Sequence, residues 1–273
     1  MRCHFMSDLH LEAQDFPWQM PRGELLVVAG DLCNACAFEA KPADLYMERQ
    51  RDRVRRFADE AARRFSRVVM VAGNHEHYGG LFEETVPLLR RHLPEFTILD
   101  DEAIEIGGIT LFGGTLWSDF LGRSEASMST ARRGIGDYFF VKTRAGSVIG
   151  EVERPVKLKP EDTLAAHERS LDALRRAAMA SGDRPFVVVT HHAPSLSGLN
   201  PRFRGNGLDG AYASDLDAFV GALPNCPLWI HGHTHIQRRY RVGRTIVNVN
   251  CRGVDKHVSL ARGFKPDRWV KIS

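Results

Sequence analysis

Five short apolar runs, each stopping on a residue able to bind a cation, constrain this chain more than any other feature. Arg2–Ser7 stops at Asp8. Glu24–Ala29 (ELLVVA) ends in Gly30-Asp31, and Val68–Ala72 (VVMVA) in Gly73-Asn74. Phe186–Thr190 (FVVVT) ends at His191, and Leu228–His231 ends in Gly232-His233. Uninterrupted apolar runs of this kind suit strands buried on both faces. Open α/β sheets place their ligands beyond the carboxyl ends of such strands, so the five endings are expected to meet.

Helices fit between the runs. Residues 44–66 carry Val54, Ala58, Ala61 and Phe65 at helical spacing, and Glu161–Ala180 carries Leu164, His167, Leu171 and Leu174. Glu83–His92 is a shorter candidate. Ile104–Phe112 and Arg239–Val249 alternate around Gly turns and predict antiparallel hairpins. There is no repeat and no low-complexity tract. The segment at about 118–160 holds Gly, Ser and Arg with weak periodicity. It is expected to be an insertion folded over the site, within a single domain spanning 1–273.

Composition narrows the classes. A net charge of +3 suits an anionic substrate without demanding nucleic acid. No stretch of about 18 apolar residues occurs, so no membrane span is expected. The opening MRCHFMSDLHLE lacks the apolar core of a signal peptide. Five cysteines, an odd number, fit a reduced cytoplasmic protein with free thiols. Nothing in the sequence speaks to oligomeric state.

Asp8 and His10 alternate, as do His231, His233 and His235, so each set could share a face at a strand end. Carboxylates with imidazoles suit Mn, Fe or Zn, and the lack of adjacent thiolates argues against a structural zinc site. Asp31 has two oxygens and can bridge two cations. Asn74 offers a neutral carbonyl oxygen, and a histidine at 191 or 192 adds an imidazole. One ion would leave too many donors unexplained. Two ions about 3.5–4 Å apart can hold a hydroxide between them for in-line displacement. His75 would then face the substrate as general acid or cationic stabiliser.

Taken singly, each piece reads as a turn, a cap or a satisfied polar residue. Taken in order, each at the end of an apolar run, they make coincidence a poor account. Cys33-x-x-Cys36 lacks a second pair and a thioredoxin setting, so it reads as structural. Acidic residues interleave the arginines from Arg49 to Arg64, which fits a solvated helix face rather than a nucleic-acid patch. His4, His92, His167 and His257 carry no motif.

The ordered set SDLH, GDL, GNHE, THH and GHTH resembles the calcineurin-like metallophosphoesterase superfamily, with the resemblance running from Asp8 to His235. It implies an α/β fold, a four-layer α/β/β/α sandwich with a dinuclear metal centre at the C-terminal ends of its central strands. It places Asp8, His10, Asp31 and His235 on the first metal. Asp31 then bridges to a second metal held also by Asn74, His191 and His233, with His191 preferred over His192 because it comes directly after the strand. His75 becomes the catalytic histidine. Asp31 is followed by Leu32-Cys33-Asn34-Ala35 rather than Asp-Arg-Gly, so a PPP-type protein phosphatase is not expected. The expected activity is hydrolysis of a small phosphoester, a phosphodiester before a monoester, with a metal-free binding scaffold as the rival. Nucleic acid is a possible substrate that no extended basic groove indicates. Arg202 and Arg204, in the Gly/Pro-punctuated loop Ser195–Tyr212, and Arg252 after the last hairpin are candidate phosphate donors.

Overall fold

A computed structural model describes every residue except 42, 145–147, 150–151, 255–262 and 273. Part of the weakly periodic segment, and His257, therefore lie outside the described residues.

The first half of the chain forms β1 (Arg2–Met6), β2 (Gly23–Ala29), α1 (Leu45–Arg64), β3 (Phe65–Val71), α2 (Thr85–His92) and β4 (Phe96–Leu99). A hairpin comes after it, β5 (Glu102–Ile106) and β6 (Ile109–Gly114). Next come α3 (Phe120–Arg123), α4 (Glu125–Gly134), α5 (Asp137–Phe140) and the short strands β7 (Lys142–Thr143), β8 (Val148–Ile149), β9 (Val152–Glu153) and β10 (Val156–Lys157). The rest holds α6 (Pro160–Ala180), β11 (Phe186–Thr190), α7 (Asp209–Tyr212), α8 (Asp217–Ala222), β12 (Leu228–His231), β13 (Gln237–Val242), β14 (Thr245–Asn250) and β15 (Trp269–Lys271).

Two large sheets result, ordered β15-β1-β2-β3-β4 and β13-β14-β12-β11-β6-β5. β1 to β4 pair in parallel, as do β6, β11, β12 and β14. The strand alternation explains the layering. Phe5, Leu25, Val27, Val69 and Val71 from the first sheet pack against Leu111, Val187, Val189 and Ile230 from the second. The opposite faces differ in partner: Leu26, Val28, Val68 and Met70 meet Val54, Phe57, Ala58 and Ala61 of α1, while Val188 and Trp229 meet Leu174 and Ala178 of α6. This is the expected α/β/β/α sandwich. Apolar runs buried on both faces are what a sheet covered by helix on one side and sheet on the other requires. Among the described residues, no helix is long and apolar enough to cross a membrane.

Side chains of α3, α4 and α5 cluster together. Phe120, Ala131, Ile135, Tyr138, Val141 and Leu158 pack together with Ala211 of α7. α5 meets the turn after β3, where Gly79 donates to the Phe140 carbonyl and Lys142 to that of Gly80, and the cluster also reaches α6, with Arg132 paired to Glu161 and the Tyr138 hydroxyl 3.0 Å from Thr163 Oγ1.

Candidate metal centre

The loops after β1, β2, β3, β11 and β12 all reach one end of the sandwich. Asp8, His10, Asp31, His233 and His235 each take positive φ, between 48° and 65°. That left-handed region is uncommon outside glycine, although Asp and His tolerate it better than most. Strand alternation therefore does not account for the pairs Asp8-x-His10 and His233-x-His235. These residues lie past the strand ends, and left-handed turns aim their side chains. His231, the last residue of β12, is turned instead to the Tyr240 hydroxyl, 3.0 Å from its Nε2.

Two donor groups form. Asp8, His10, Asp31 and His235 offer ligand atoms within 4.8 Å of one another, and so do Asp31, His191 and His233. In the first, His10 Nε2 lies 3.1 Å from His235 Nε2 and 3.8 Å from Asp31 Oδ2, and His235 Nε2 is 3.1 Å from Asp8 Oδ1. In the second, His191 Nε2 is 3.0 Å from Asn74 Oδ1 and 3.3 Å from Asp31 Oδ1. Asp31 thus turns one oxygen to each group. His191 Nδ1 is held at 2.8 Å by the Ala29 carbonyl, which fixes which nitrogen faces the cluster. His192 belongs to neither group and packs its ring against Trp117 and His233.

The donor chemistry fits divalent ions. Two imidazoles converge at each point, with the carboxylates of Asp8 and Asp31 at the first and that of Asp31 at the second, all but His235 buried. Without ions, protons must occupy such a place. Burial lowers the pKa of His191, but the charges of Asp31 and Asp8 outweigh it and raise it to about 9. Burial also opposes ionisation of Asp31, yet the surrounding histidines hold its carboxyl well below the usual range.

Three acidic side chains support this cluster, none of them singled out by sequence. Glu12 Oε1 is 2.9 Å from Nδ1 of both His10 and His75. Burial would raise its pKa, but the two histidines hold it down to about 2. His10, Glu12 and His75 could themselves group about an ion. The two Nδ1 contacts instead describe one carboxylate orienting two imidazoles. Buried Glu76 accepts from the backbone amides of Asp31, Leu32, Cys33 and Gly73, and so ties the loop after β2 to the loop after β3. Asp137 of α5 accepts from the Asn74 amide and the Tyr78 hydroxyl. The spacing Asp8-x-His10-x-Glu12 and the Glu of GNHE were available signals; Asp137 had none.

A cleft of about 410 Å³ opens over Asp31, Asn74, His75, His233 and His235. Tyr78 and Tyr212 stand on either side of it, stacked on His75 and His233 respectively. Gly134–Gly136 at the end of α4 and Leu199, Asn200, Phe203 and Asn206 complete the wall. The loop Ser195–Tyr212 thus borders the cleft, but its arginines do not line it. The Arg202 backbone is turned by the Asn200 side chain, and its guanidinium sits in the open, over the exposed Phe203 ring. Arg204, also exposed, donates to the Leu196 carbonyl. Arg252 is buried, donates to the Leu9 carbonyl and lies 4.9 Å from the centre of the Trp18 ring. Of the motif-free histidines, His167 is buried against the Leu116 carbonyl and His4 against Phe65, while His92 stacks on Phe38. All five cysteines are free.

A two-sheet sandwich with these donors at its strand ends fits a metal-dependent phosphoester hydrolase. The chain belongs to the calcineurin-like phosphoesterase family, whose pattern matches residues 1–237. An uncharacterised protein of Acanthamoeba polyphaga mimivirus is 23% identical, over 98% of this chain and 95% of its own length. The crystal structure of a phosphopantetheinyl hydrolase from Mycobacterium tuberculosis shares the fold. Its TM-score is 0.63 at 18% identity, covering 98% of this chain and 95% of that one.

Proposed function

We propose that this protein is a dinuclear phosphodiesterase acting on a small phosphoester, with His75 as its catalytic histidine. One observation carries the reading: Asp31 turns its two oxygens to two separate donor groups. Asp8, His10 and His235 would share one ion with Asp31, and Asn74, His191 and His233 the other. Mn, Fe or Zn suits this mixture of carboxylate, amide oxygen and imidazole. Such ions would supply Lewis acidity and the positive charge that a phosphoryl group needs.

The chain's own residues do the rest. The His75 backbone amide donates to Asp31 Oδ1, and Glu12 takes its Nδ1, so Nε2 is left to meet the substrate. Burial lowers the His75 pKa, but in the ion-free protein the charges of Asp31 and Glu12 outweigh it and raise it to about 10. A protonated imidazole can give its proton to the leaving oxygen. Tyr78, stacked at 4.3 Å between ring centres, keeps that imidazole from turning. The insertion 118–160 contributes one wall and belongs to the same domain. Free thiols fit a cytoplasmic setting.

The test is a panel of bis-p-nitrophenyl phosphate, p-nitrophenyl phosphate, cyclic nucleotides, short nucleic acids and a phosphopantetheinyl ester. Chelator-stripped protein is assayed with Mn, Fe, Zn, Co or Ni, and bound metal is counted. Close to two ions per chain and diester turnover above monoester turnover are expected, with ions lost from both groups in Asp31→Asn. Monoester preference overturns the diester reading. Full metal content in Asp31→Asn overturns the bridge, and metal-free inactive protein would leave a binding scaffold.

A further inference from the structure

We propose that Asp137, on α5, positions Asn74 for cation binding and so completes the second metal group. The role rests on the dinuclear reading of the metal centre. An amide has two unlike ends, and only its oxygen is a useful cation ligand. Asn74 Oδ1 faces His191 Nε2 at 3.0 Å, and its Nδ2 lies 2.8 Å from Asp137 Oδ1. A carboxylate accepts but does not donate. Asp137 therefore selects the NH2 end of the amide and leaves the oxygen towards His191 and Asp31. The same Oδ1 accepts from the Tyr78 hydroxyl at 2.8 Å, and Tyr78 carries the ring stacked on His75. One buried oxygen thus orients a candidate ligand and steadies the histidine beside it.

The local chain is built for this approach. Asp137 is only 3% exposed, so a surface contact does not describe it. Gly136 precedes it, and a Cβ there would fall 2.7 Å from the Tyr78 hydroxyl. Gly79 donating to the Phe140 carbonyl at 2.9 Å, and Lys142 to that of Gly80 at 3.1 Å, clamp α5 to the turn just past Asn74. Asp137 acts through Asn74 rather than on substrate, and is a positioning residue.

The experiment titrates stripped protein with Mn2+ by calorimetry and records both binding steps. Asp137→Ala should weaken one step by about 10–100-fold, the usual cost of losing a partner behind a ligand. The step governed by Asp8, His10 and His235 should stay within about twofold. Asp137→Asn keeps an acceptor oxygen and should recover most of the loss. Asn74→Asp alone sets two carboxylates against each other and should weaken the same step. The double variant Asn74→Asp with Asp137→Asn restores a donor opposite an acceptor and should bind more tightly than Asn74→Asp. Melting curves run on every variant show that the fold is intact. Equal weakening of both steps in Asp137→Ala, unchanged binding there, or no recovery in the swap overturns the proposal. Wild-type protein that takes up no ion overturns the metal-centre reading, and the role of Asp137 with it.

Discussion

A carboxylate that accepts from two imidazoles at once fixes the tautomer of both. Glu12 does so for His10 and His75, and their rings meet edge to face 4.5 Å apart. His10 then presents Nε2 to the first donor group, and His75 keeps its Nε2 for the cleft. The work proposed for the two histidines differs, and substitution should separate them. His75→Ala should keep both ions yet lose about 10²–10⁴-fold in turnover, the usual worth of a positioned acid. The loss should be largest for alkyl esters and smallest for p-nitrophenyl esters, whose leaving groups need little protonation. An equal loss for both would leave His75 an electrostatic role only, and loss of metal would remove it from catalysis. Glu12→Ala should lower turnover and also weaken the first ion's binding, because it frees both rings.

At the scale of elements, the site is made by the turn at the end of each strand rather than by the strands. Gly30, Gly73 and Gly232 precede Asp31, Asn74 and His233, and each lies where a side chain would strike the cluster. A Cβ on Gly73 would collide with the Asp31 carboxylate and backbone and with the His191 ring. Gly73→Ala should therefore weaken both ions by roughly tenfold or more, as a disturbed bridging ligand would. Gly80→Ala, where the nearest atom to a Cβ is 3.6 Å away, should load like wild type. Elemental analysis decides it, and fully loaded Gly73→Ala protein refutes the close packing of that turn on Asp31 as the proposed bridge.

The same turns set how much of the site is legible in the sequence. Apolar runs and small residues before polar ones are local, so the strands, the hairpins and the meeting of seven candidate donors from Asp8 to His235 were legible. The first helix was expected to reach residue 66 but stops at Arg64, so Phe65 and Ser66 open β3, a shift of two boundary residues. Asp137 was invisible, because its role depends on α5 docking beside the turn after β3. The placement of the arginines was not legible either: a loop can border a cleft while its turns set the long side chains in the open, as Asn200 does for Arg202.

For the whole molecule, each donor group spans both sheets. Asp8, His10, Asp31 and Asn74 come after strands of the five-stranded sheet, while His191, His233 and His235 come after strands of the six-stranded one. Bound ions would therefore tie the two sheets together at one end and balance the buried carboxylates there. An ion at 100 times its dissociation constant adds about 2.7 kcal/mol to the folded state. For a chain of this size that corresponds to about 5–10 °C in Tm. Chelation should remove that increment, and Asp31→Asn should show little of it. The increment should also depend on pH with a definite sign. His191 is raised from 6.5 to about 9 in the ion-free protein. A raised histidine stabilises the fold below its unfolded pKa, and that contribution is lost as pH rises through the folded value. The ion-free fold therefore weakens between about 6.5 and 9. Ion binding must expel the same proton below about 9, so affinity rises over the same window. The two are one proton seen from either side, and its release widens the gap between loaded and stripped protein as pH rises. Melting curves at pH 6.5 and 9, with and without Mn2+, measure it, and a gap that narrows with rising pH contradicts the placement of His191 at the ion.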